Sequence, residues 1–253
     1  MQHPRPFILE TDKSKSLHFS ANQAQSRMSV ARPDALNMEY TRLMMGFLLF
    51  NSQPEELGLI GLGGGSLAKF CYRYLSGTRI VAVEINPHVV AVRDEFQVPR
   101  DDERFSVVLG DGADLVRAAR EKFDALLVDG FDVHGMPAQL SSQDFYGHCF
   151  AALKPDGFLV LNLDRADRQF ETCIERVRNS FGKDEVLLVI GNDGNNGIVF
   201  ACKGQRMARH AIGTLRRPAT LAPEAWTQLT PGFTRVAAAL REQRGWLTPA
   251  GSV

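Results

Sequence analysis

Apolar and polar residues follow one another in blocks along most of the chain. Short apolar runs predict strands near residues 57–62, 79–84, 105–109, 123–128, 157–163, 185–190 and 197–202. Apolar positions at helical spacing predict helices near residues 66–76, 87–96, 111–120, 143–153 and 167–181. Strands that alternate with helices in this way are typical of a parallel sheet with helices on both faces.

The last two predicted strands break this alternation. Val186–Ile190 and Ile198–Cys202 are separated by a Gly- and Asn-rich segment that is too short for a crossover helix. We therefore predict that the final strand lies antiparallel to its neighbours. An α/β sheet of seven strands with the last one antiparallel indicates the Rossmann-like fold of class I S-adenosylmethionine-dependent methyltransferases rather than a dinucleotide dehydrogenase sheet.

The two ends of the chain show weaker patterns. Residues 7–32 alternate weakly, which predicts two or three short strands in a hairpin. Asp34 is a plausible N-cap of a helix that continues to Phe50. A proline-containing segment follows Gly204, with one predicted helix from Phe233 to Arg244. We predict three parts: an N-terminal β-hairpin segment (1–33), a nucleoside-binding domain (34–203) and a basic extension (204–253).

Composition argues against a nucleic-acid partner, a membrane span and a metal site. The 253 residues carry 29 basic and 29 acidic side chains, so a zero net charge does not favour nucleic acid as a partner. No apolar stretch is long enough to cross a membrane. The four cysteines and six histidines are scattered and show no metal-ligand spacing. The cysteines lie in apolar patterns, which indicates buried thiols in a reducing compartment. We expect a cytoplasmic protein that uses no metal.

A glycine-rich turn joins the first predicted strand to its helix. Glycines at 61, 63, 64 and 65 allow a ligand to approach the main chain closely. The next strand ends at Glu84, 23 residues after Gly61, where a Rossmann-like unit has the acid that holds a ribose diol. This spacing predicts a nucleoside site.

Two further strand ends carry polar groups. Gly110-Asp-Gly-Ala113 follows the third strand, and Asp129 and Asp132 follow the fourth. Because carboxyl ends of parallel strands lie on one sheet edge, we expect these groups to converge. Each also has a simpler interpretation: Asp111 as a helix cap, Glu84 as an exposed acid, and Asp129 or Asp132 as part of a surface turn.

From about Leu17 to Lys203 the chain resembles the spermidine synthase family, the polyamine aminopropyltransferases built on the class I methyltransferase fold. The motifs that carry the resemblance are Ile60-Gly-Leu-Gly-Gly-Gly65, Val83-Glu-Ile-Asn-Pro87, Gly110-Asp-Gly-Ala113, Val128-Asp-Gly-Phe-Asp132 and Leu153-Lys-Pro-Asp-Gly157. They match the family's glycine loop and its V-E-I-D-P, G-D-G-A, V-D-S-S-D and L-K-P-G-G motifs.

The resemblance implies a donor site for decarboxylated S-adenosylmethionine or S-adenosylmethionine. Glu84 would hold the ribose hydroxyls, Asp111 and Ala113 would meet the adenine, and Gln25 would contact the nucleoside and the transferred group. The remaining donor-binding residues of the matched motifs are Gly61, Gly63, Gly64, Gly65, Ile85, Gly112 and Asp129.

The resemblance also implies catalytic residues and partners. Asp129 would be the base or orienting acid for the attacking amine, Asp132 a second contact to it, and Tyr40 the tyrosine of the family's Y-H-E motif. The implied partner is a small-molecule amine, and family members often form homodimers. The leading function is aminopropyl transfer to a diamine such as putrescine.

The chain departs from the family on the amine side. Gly64 replaces the acid of G-G-G-D-G, Arg42 replaces the acid of Y-H-E, and residues 192–197 replace the usual aromatic and proline groups. A methyltransferase that uses S-adenosylmethionine on an unknown small acceptor is therefore the alternative. A non-catalytic nucleoside-binding protein is a third hypothesis.

The loss of an acid at position 64 has a testable consequence for donor selection. Without that carboxylate, the α-carboxylate of S-adenosylmethionine is not repelled, and Arg42 would attract it if its helix packs over the pocket. We expect similar binding of both donors, and Gly64→Asp to restore discrimination. The alternative is that another acid such as Asp129 selects the donor and that Gly64 is only a turn.

Overall fold

The computed structural model describes residues 3–20, 23–131, 135–211 and 213–245. The N-terminal part forms a small antiparallel sheet in the order β1-β2-β3, with bounds Phe7–Glu10, Ser14–Ser20 and Gln23–Ser29. Leu17 of β2 and Met28 of β3 are buried in the main core, because alternate residues of a strand face the same side. The predicted N-terminal strands are confirmed.

A seven-stranded sheet forms the centre of the molecule. Its strands are β4 Glu56–Ile60, β5 Arg79–Glu84, β6 Phe105–Leu109, β7 Phe123–Val128, β8 Leu153–Asp164, β9 Val186–Ile190 and β10 Asn196–Cys202. The spatial order is β6-β5-β4-β7-β8-β10-β9, and β10 is antiparallel to both of its neighbours. The predicted fold class is confirmed, including the reversed final strand.

Nine α-helices surround the sheet in the described part of the chain. They are α1 Glu39–Met44, α2 Ser66–Tyr74, α3 Pro87–Ala91, α4 Gly112–Ala118, α5 Ala138–Ser141, α6 Gln143–Ala152, α7 Phe170–Phe181, α8 Arg206–Arg209 and α9 Pro223–Gln243. One apolar core packs α1, α2 and α9 on one face of the sheet, and a second packs α4, α6 and α7 on the other. None of these helices has the length and apolar character that spanning a bilayer requires.

The helix before the sheet starts later than predicted. α1 begins at Glu39, its N-cap Met38 makes no side-chain bond, and the chain tightens into a 3-10 helix at Met45–Leu49. Asp34 does not cap the helix. Its Oδ2 accepts a hydrogen bond from the Tyr74 hydroxyl at 3.0 Å and contacts Arg73 Nε at 3.3 Å. Tertiary partners on α2 therefore displaced the local cap.

The C-terminal helix is longer than predicted. α9 begins ten residues earlier than expected, at Pro223, and it continues through Pro231. Its buried side chains include Leu229, Val236 and Leu240, which join the same core as α1. This burial offsets the hydrogen bond that an internal proline removes. The three-part division of the chain stays a prediction.

Candidate active site

The glycine turn lies between the carboxyl ends of β5 and β7. The amide of Gly61 donates to Val83 O at 2.8 Å, and the amide of Asp129 donates to Ile60 O at 2.8 Å. Gly61 has a φ of +94°, and a Cβ there would collide with the carbonyl oxygen of Asp129. Only glycine fits this position, so the turn holds the main chain of Asp129 against the start of the loop.

The second half of the turn packs against β3. A Cβ on Gly64 would lie 2.6 Å from Ser26 Oγ and 2.9 Å from Phe96 Cδ1. Position 64 therefore has no room for a side chain unless these neighbours move. Ser26 Oγ also lies 3.4 Å from Ser66 Oγ, at the start of α2. Two hydroxyls thus occupy the region that the resemblance assigns to an acid.

Glu84 is buried, with 8% of its surface exposed, at the end of β5. Its Oε2 accepts a hydrogen bond from the Leu62 amide at 2.9 Å, and its Oε1 accepts one from the Asn86 amide at 2.9 Å. The interpretation of Glu84 as an exposed acid is therefore wrong. Each carboxylate oxygen keeps a second lone pair with which it can accept a ligand hydroxyl.

The next strand end combines a polar cap with exposed apolar groups. Asp111 caps α4 by accepting a hydrogen bond from the Ala113 amide at 2.8 Å, and Gly112 packs against Ile60. Ile85 is 41% exposed and Leu109 is 57% exposed on this edge of the sheet. Exposed apolar side chains beside a polar cap form a surface that a planar aromatic base can cover.

Asp129 lies at the end of β7 and accepts two side-chain hydrogen bonds. The Tyr40 hydroxyl donates to its Oδ2 at 3.1 Å, and Asn162 Nδ2 donates to its Oδ1 at 2.9 Å. Tyr40 is the second residue of α1, and Asn162 lies near the end of β8. Donors from two separate elements therefore orient one carboxylate, which excludes a simple surface turn for Asp129.

The electrostatic setting of Asp129 suits proton acceptance. Loss of solvent raises the pKa of this carboxyl above its ordinary value, and the negative charge of Glu84 raises it further. The hydrogen bonds from Asn162 and Tyr40 lower the same pKa and offset part of the rise. The pKa of the Tyr40 phenol lies well above its ordinary value because of burial and the nearby Asp129 charge. Tyr40 is therefore a neutral donor at neutral pH.

A cavity of about 680 Å³ opens beside this carboxylate. Its lining includes the polar residues Gln25, Tyr40, Asp129, Asn162, Asp164 and Asp167. A second, narrow cleft of about 20 Å³ is also lined by Asp129 and borders Gly61 and the two serines. Asp129 therefore borders both the cavity and the cleft beside the glycine turn. Predicted site residue Asp132 lies outside the described residues.

Arg42 does not face this cavity. Its Nη1 donates to the carbonyl oxygen of Leu36 at 2.6 Å, within the segment that leads into α1. The expectation that Arg42 attracts a donor carboxylate is therefore wrong. The guanidinium instead ties down the chain before the helix that carries Tyr40.

Several residues of this site were missed in the sequence. Asn162 and Asp164 end β8, and Asn196 begins the antiparallel strand beside it, in register with Asp164. The signal was present, because Asn162 interrupts an otherwise apolar strand at the same sheet edge. Asn196 had no comparable signal, since only strand pairing brings it to the site.

In the part of the chain that the structure describes, no group of three or more His, Cys, Asp or Glu side chains is arranged to hold a metal ion. The four cysteines are all free and buried. Burial raises the pKa of the Cys71 thiol, which makes it a poor ligand and nucleophile.

Known proteins resemble this chain in sequence and in structure. The family described as spermine/spermidine synthase domain matches residues 37–181. A polyamine aminopropyltransferase of Chromobacterium violaceum is 41% identical over 197 residues, which cover 78% of this chain and 76% of that protein.

Two solved structures show the same fold. A probable spermidine synthase from Corynebacterium glutamicum superposes with a TM-score of 0.70 at 15% identity, covering 98% of this chain and 93% of that one. Human methyltransferase-like protein 13, in complex with SAH, gives a TM-score of 0.59 at 22% identity and covers 85% and 96%. With more than half of the chain matched by one family and a relative of this identity, the protein belongs to the spermine/spermidine synthase family.

Proposed function

We propose that this protein is a transferase that moves an aminopropyl group from decarboxylated S-adenosylmethionine to a diamine such as putrescine. The observation that carries this proposal is the Asp129 carboxylate, oriented by Tyr40 and Asn162 between the glycine turn and a large polar cavity. Relatives named polyamine aminopropyltransferase support the same reaction.

In this proposal Asp129 prepares the attacking amine. An alkyl amine has a pKa of about 10.4 and is protonated at neutral pH, so it must lose a proton before it can attack carbon. The carboxylate attracts the ammonium group, accepts its proton and aligns the nitrogen. The amine nitrogen then bonds to the methylene carbon next to sulfur, and the carbon–sulfur bond breaks. Its electron pair stays on sulfur, which becomes a neutral thioether.

The proposed donor site uses the glycine turn and the next two strand ends. Glu84 would hold the ribose hydroxyls, and Asp111, Gly112 and Ala113 would meet the adenine beside the exposed side chain of Ile85. Gln25 and Gly61, which line the narrow cleft, would border the path from the nucleoside to the transferred group. The main chain of Gly63, Gly64 and Gly65 is assigned to the same path from the matched motif alone. The reaction needs no metal, because the sulfonium is already a leaving group.

The cavity beyond Asp129 would receive the acceptor. It carries the carboxylates of Asp164 and Asp167 as well as that of Asp129, and a cationic amine is attracted by such a lining. Asp132 is proposed as a second contact to the amine from the matched motif alone.

An assay with two donors tests this function. Purified protein is incubated with putrescine and either decarboxylated or ordinary S-adenosylmethionine, and the products are identified by mass spectrometry. We expect spermidine and methylthioadenosine from the decarboxylated donor. A methylated amine and S-adenosylhomocysteine from the ordinary donor would instead indicate a methyltransferase. Nucleoside binding without turnover on any amine would favour a non-catalytic role.

A further inference from the structure

Two asparagines form a hydrogen-bonded chain that ends on Asp129. Asn196 Nδ2 donates to Asn162 Oδ1 at 2.9 Å, and Asn162 Nδ2 donates to Asp129 Oδ1 at 2.9 Å. Asn162 is 2% exposed, whereas Asn196 is partly exposed and lines the cavity. Asn196 lies two residues before Ile198, the strand partner of Asn162, so both asparagines are on one face of the sheet.

Chemistry dictates the direction of every bond in this chain. An ionised carboxylate only accepts hydrogen bonds, so Asn162 must present its NH₂ group to Asp129. The oxygen of the Asn162 amide must then face Asn196, which must present its own NH₂ group. A rotation of the Asn162 amide by 180° would put two acceptor oxygens against each other beside Asp129. The bond from Asn196 prevents this rotation.

We infer that Asn196 is a positioning residue: it locks the Asn162 amide in the one orientation that donates to the Asp129 carboxylate, and so keeps that carboxylate aligned for the acceptor amine. This inference rests on the proposed function of Asp129. It assigns a role to the first residue of the antiparallel strand β10, and that role reaches the reacting amine only through Asn162.

Other groups also act on Asp129. The Tyr40 hydroxyl from α1 donates to its second oxygen, and Glu84 at the end of β5 adds a negative charge. Asp164, Asp167 and Arg168 line the same cavity. None of these groups forms a hydrogen bond with the Asn162 amide in the described residues, so the loss of the Asn196 donor acts on Asp129 through the Asn162 amide.

The first test reads the Asp129 carboxyl directly. The ¹³C chemical shift of this carboxyl is followed against pH in the wild type and in Asn196→Leu, which keeps the branched shape of the side chain and removes the donor. The resonance is assigned by its loss in Asp129→Asn. Because the hydrogen bond from Asn162 lowers the Asp129 pKa, we expect the titration midpoint to move to higher pH in Asn196→Leu. An unchanged midpoint would overturn the inference.

The second test measures aminopropyl transfer. We expect kcat to fall about tenfold in Asn196→Leu, with the acid limb of the pH profile moved upward and the donor KM changed less than about threefold. Asn195→Leu is the matched control, because Asn195 is exposed in the same turn. An equal loss in Asn195→Leu would show a general effect of the turn and contradict the inference.

A double variant separates an indirect role from direct contact with substrate. If Asn196 acts only through Asn162, then Asn162→Leu/Asn196→Leu should be no slower than Asn162→Leu alone. Additive losses would mean that Asn196 acts independently of Asn162, which contradicts the positioning role. Absence of turnover in the wild type would contradict the proposed function. The carboxyl titration would still show whether Asn196 acts on Asp129 through the Asn162 amide.

Discussion

At the scale of single residues, the site depends on a carboxylate that is poorly solvated yet well bonded. Burial raises the pKa of Asp129, which brings it closer to that of an effective proton acceptor. The donors Tyr40 and Asn162 keep the ionised form accessible at neutral pH. Burial, which raises the pKa of Asp129, and the two donors, which lower it, together determine how readily this carboxylate accepts a proton.

Replacing this carboxylate by an amide should stop the reaction with little effect on donor binding. In Asp129→Asn the shape is kept and the proton acceptor is lost, so kcat should fall about 10²- to 10⁴-fold. Affinity for methylthioadenosine, measured by calorimetry, should stay within a few-fold. If activity falls only in proportion to nucleoside affinity, Asp129 is not the proton acceptor.

Glu84 should matter for donor affinity. In Glu84→Gln the charged acceptor for the ribose diol is lost, which should cost roughly 1.5–3 kcal/mol, or about ten- to a hundredfold in affinity for methylthioadenosine. The carboxylate of Glu84 now accepts hydrogen bonds from the backbone amides of Leu62 and Asn86, and the NH₂ group of a glutamine would face one of these two donors. A modest loss of Tm is therefore expected as well.

Glu103→Gln serves as the control for this change, because Glu103 is an exposed acid before β6. It should alter neither donor affinity nor Tm. Equal affinity of the wild type and Glu84→Gln would show that Glu84 supports only the glycine turn.

The structure changes the expectation for Gly64. Gly64→Asp alone should lower Tm, because its Cβ would lie 2.6 Å from Ser26 Oγ. Ser26→Gly/Gly64→Asp removes that contact but keeps the 2.9 Å contact with Phe96 Cδ1, so part of the loss of Tm should remain. The double variant should prefer decarboxylated over ordinary S-adenosylmethionine, since two like charges about 4 Å apart repel by roughly 4 kcal/mol at an effective dielectric of 20.

The unmodified protein should bind the two donors within about tenfold of each other by calorimetry. Ser26→Gly alone is the control and should keep this weak discrimination. A strong preference of the wild type for the decarboxylated donor would mean that another acid, such as Asp129, selects the donor.

At the scale of elements, the contact between α1 and α9 determines where the Tyr40 hydroxyl lies in the site. Tyr40 is on α1, and α9 packs so closely on it that a Cβ on Gly232 would lie 2.8 Å from Arg42 O. Backbone atoms cannot yield as a flexible side chain can. The position of the Tyr40 hydroxyl therefore depends on a helix that is remote from it in sequence.

A methyl group at this contact should affect both stability and catalysis. Gly232→Ala should push α9 away from α1 and destabilise the protein by about 1–3 kcal/mol, as overpacking does. Because α1 carries Tyr40, kcat should also fall. Thr234→Ala, at an exposed position of the same helix, should change kcat little. A stable Gly232→Ala variant with normal kcat would contradict this coupling.

The C-terminal arginines also attach α9 to the rest of the chain. The predicted basic extension carries a formal charge of +5, from seven arginines against two glutamates after Gly204. Several of these arginines donate to backbone carbonyls. Arg244 donates to His210 O and Ala208 O at 2.8 Å, and Arg235 donates to Ile190 O at 3.0 Å. They fasten α9 to the rest of the chain.

At the scale of the whole molecule, the active-site carboxylate should reduce stability. The folded-state pKa of Asp129 is raised above its unfolded value, so its favourable contribution is present in acid and is lost as pH rises through the folded pKa. Asp129→Asn does not titrate. We therefore expect its Tm advantage over the wild type to be larger at pH 7 than at pH 4.

The expected gain at pH 7 is about 0.5–2 kcal/mol, which is typical of a single stabilising substitution. That corresponds to about 2–4 °C in Tm per kcal/mol for a chain of this size. Asp12→Asn, at an exposed position, is the control for the substitution itself. A Tm difference that shrinks between pH 4 and pH 7 would contradict the raised pKa.

Local patterns in the sequence determined most of the architecture and the positions of several site residues. Hydrophobic periodicity predicted the seven strands. The reversed last strand followed because the segment at 191–197, between the last two predicted strands, is too short for a crossover. The positions of Gly61, Glu84, Asp111 and Asp129 followed from the rule that parallel strands end on one edge of a sheet.

Only the tertiary structure decided how these residues interact. Asp34 pairs with Tyr74 instead of capping α1, Arg42 faces a carbonyl instead of the cavity, and Ser26 fills the space beside Gly64. Asn196 reaches Asp129 only through strand pairing and the Asn162 amide. Each of these outcomes depends on contacts between residues far apart in the chain, and the free energy of such contacts exceeds the local preferences that a sequence pattern records.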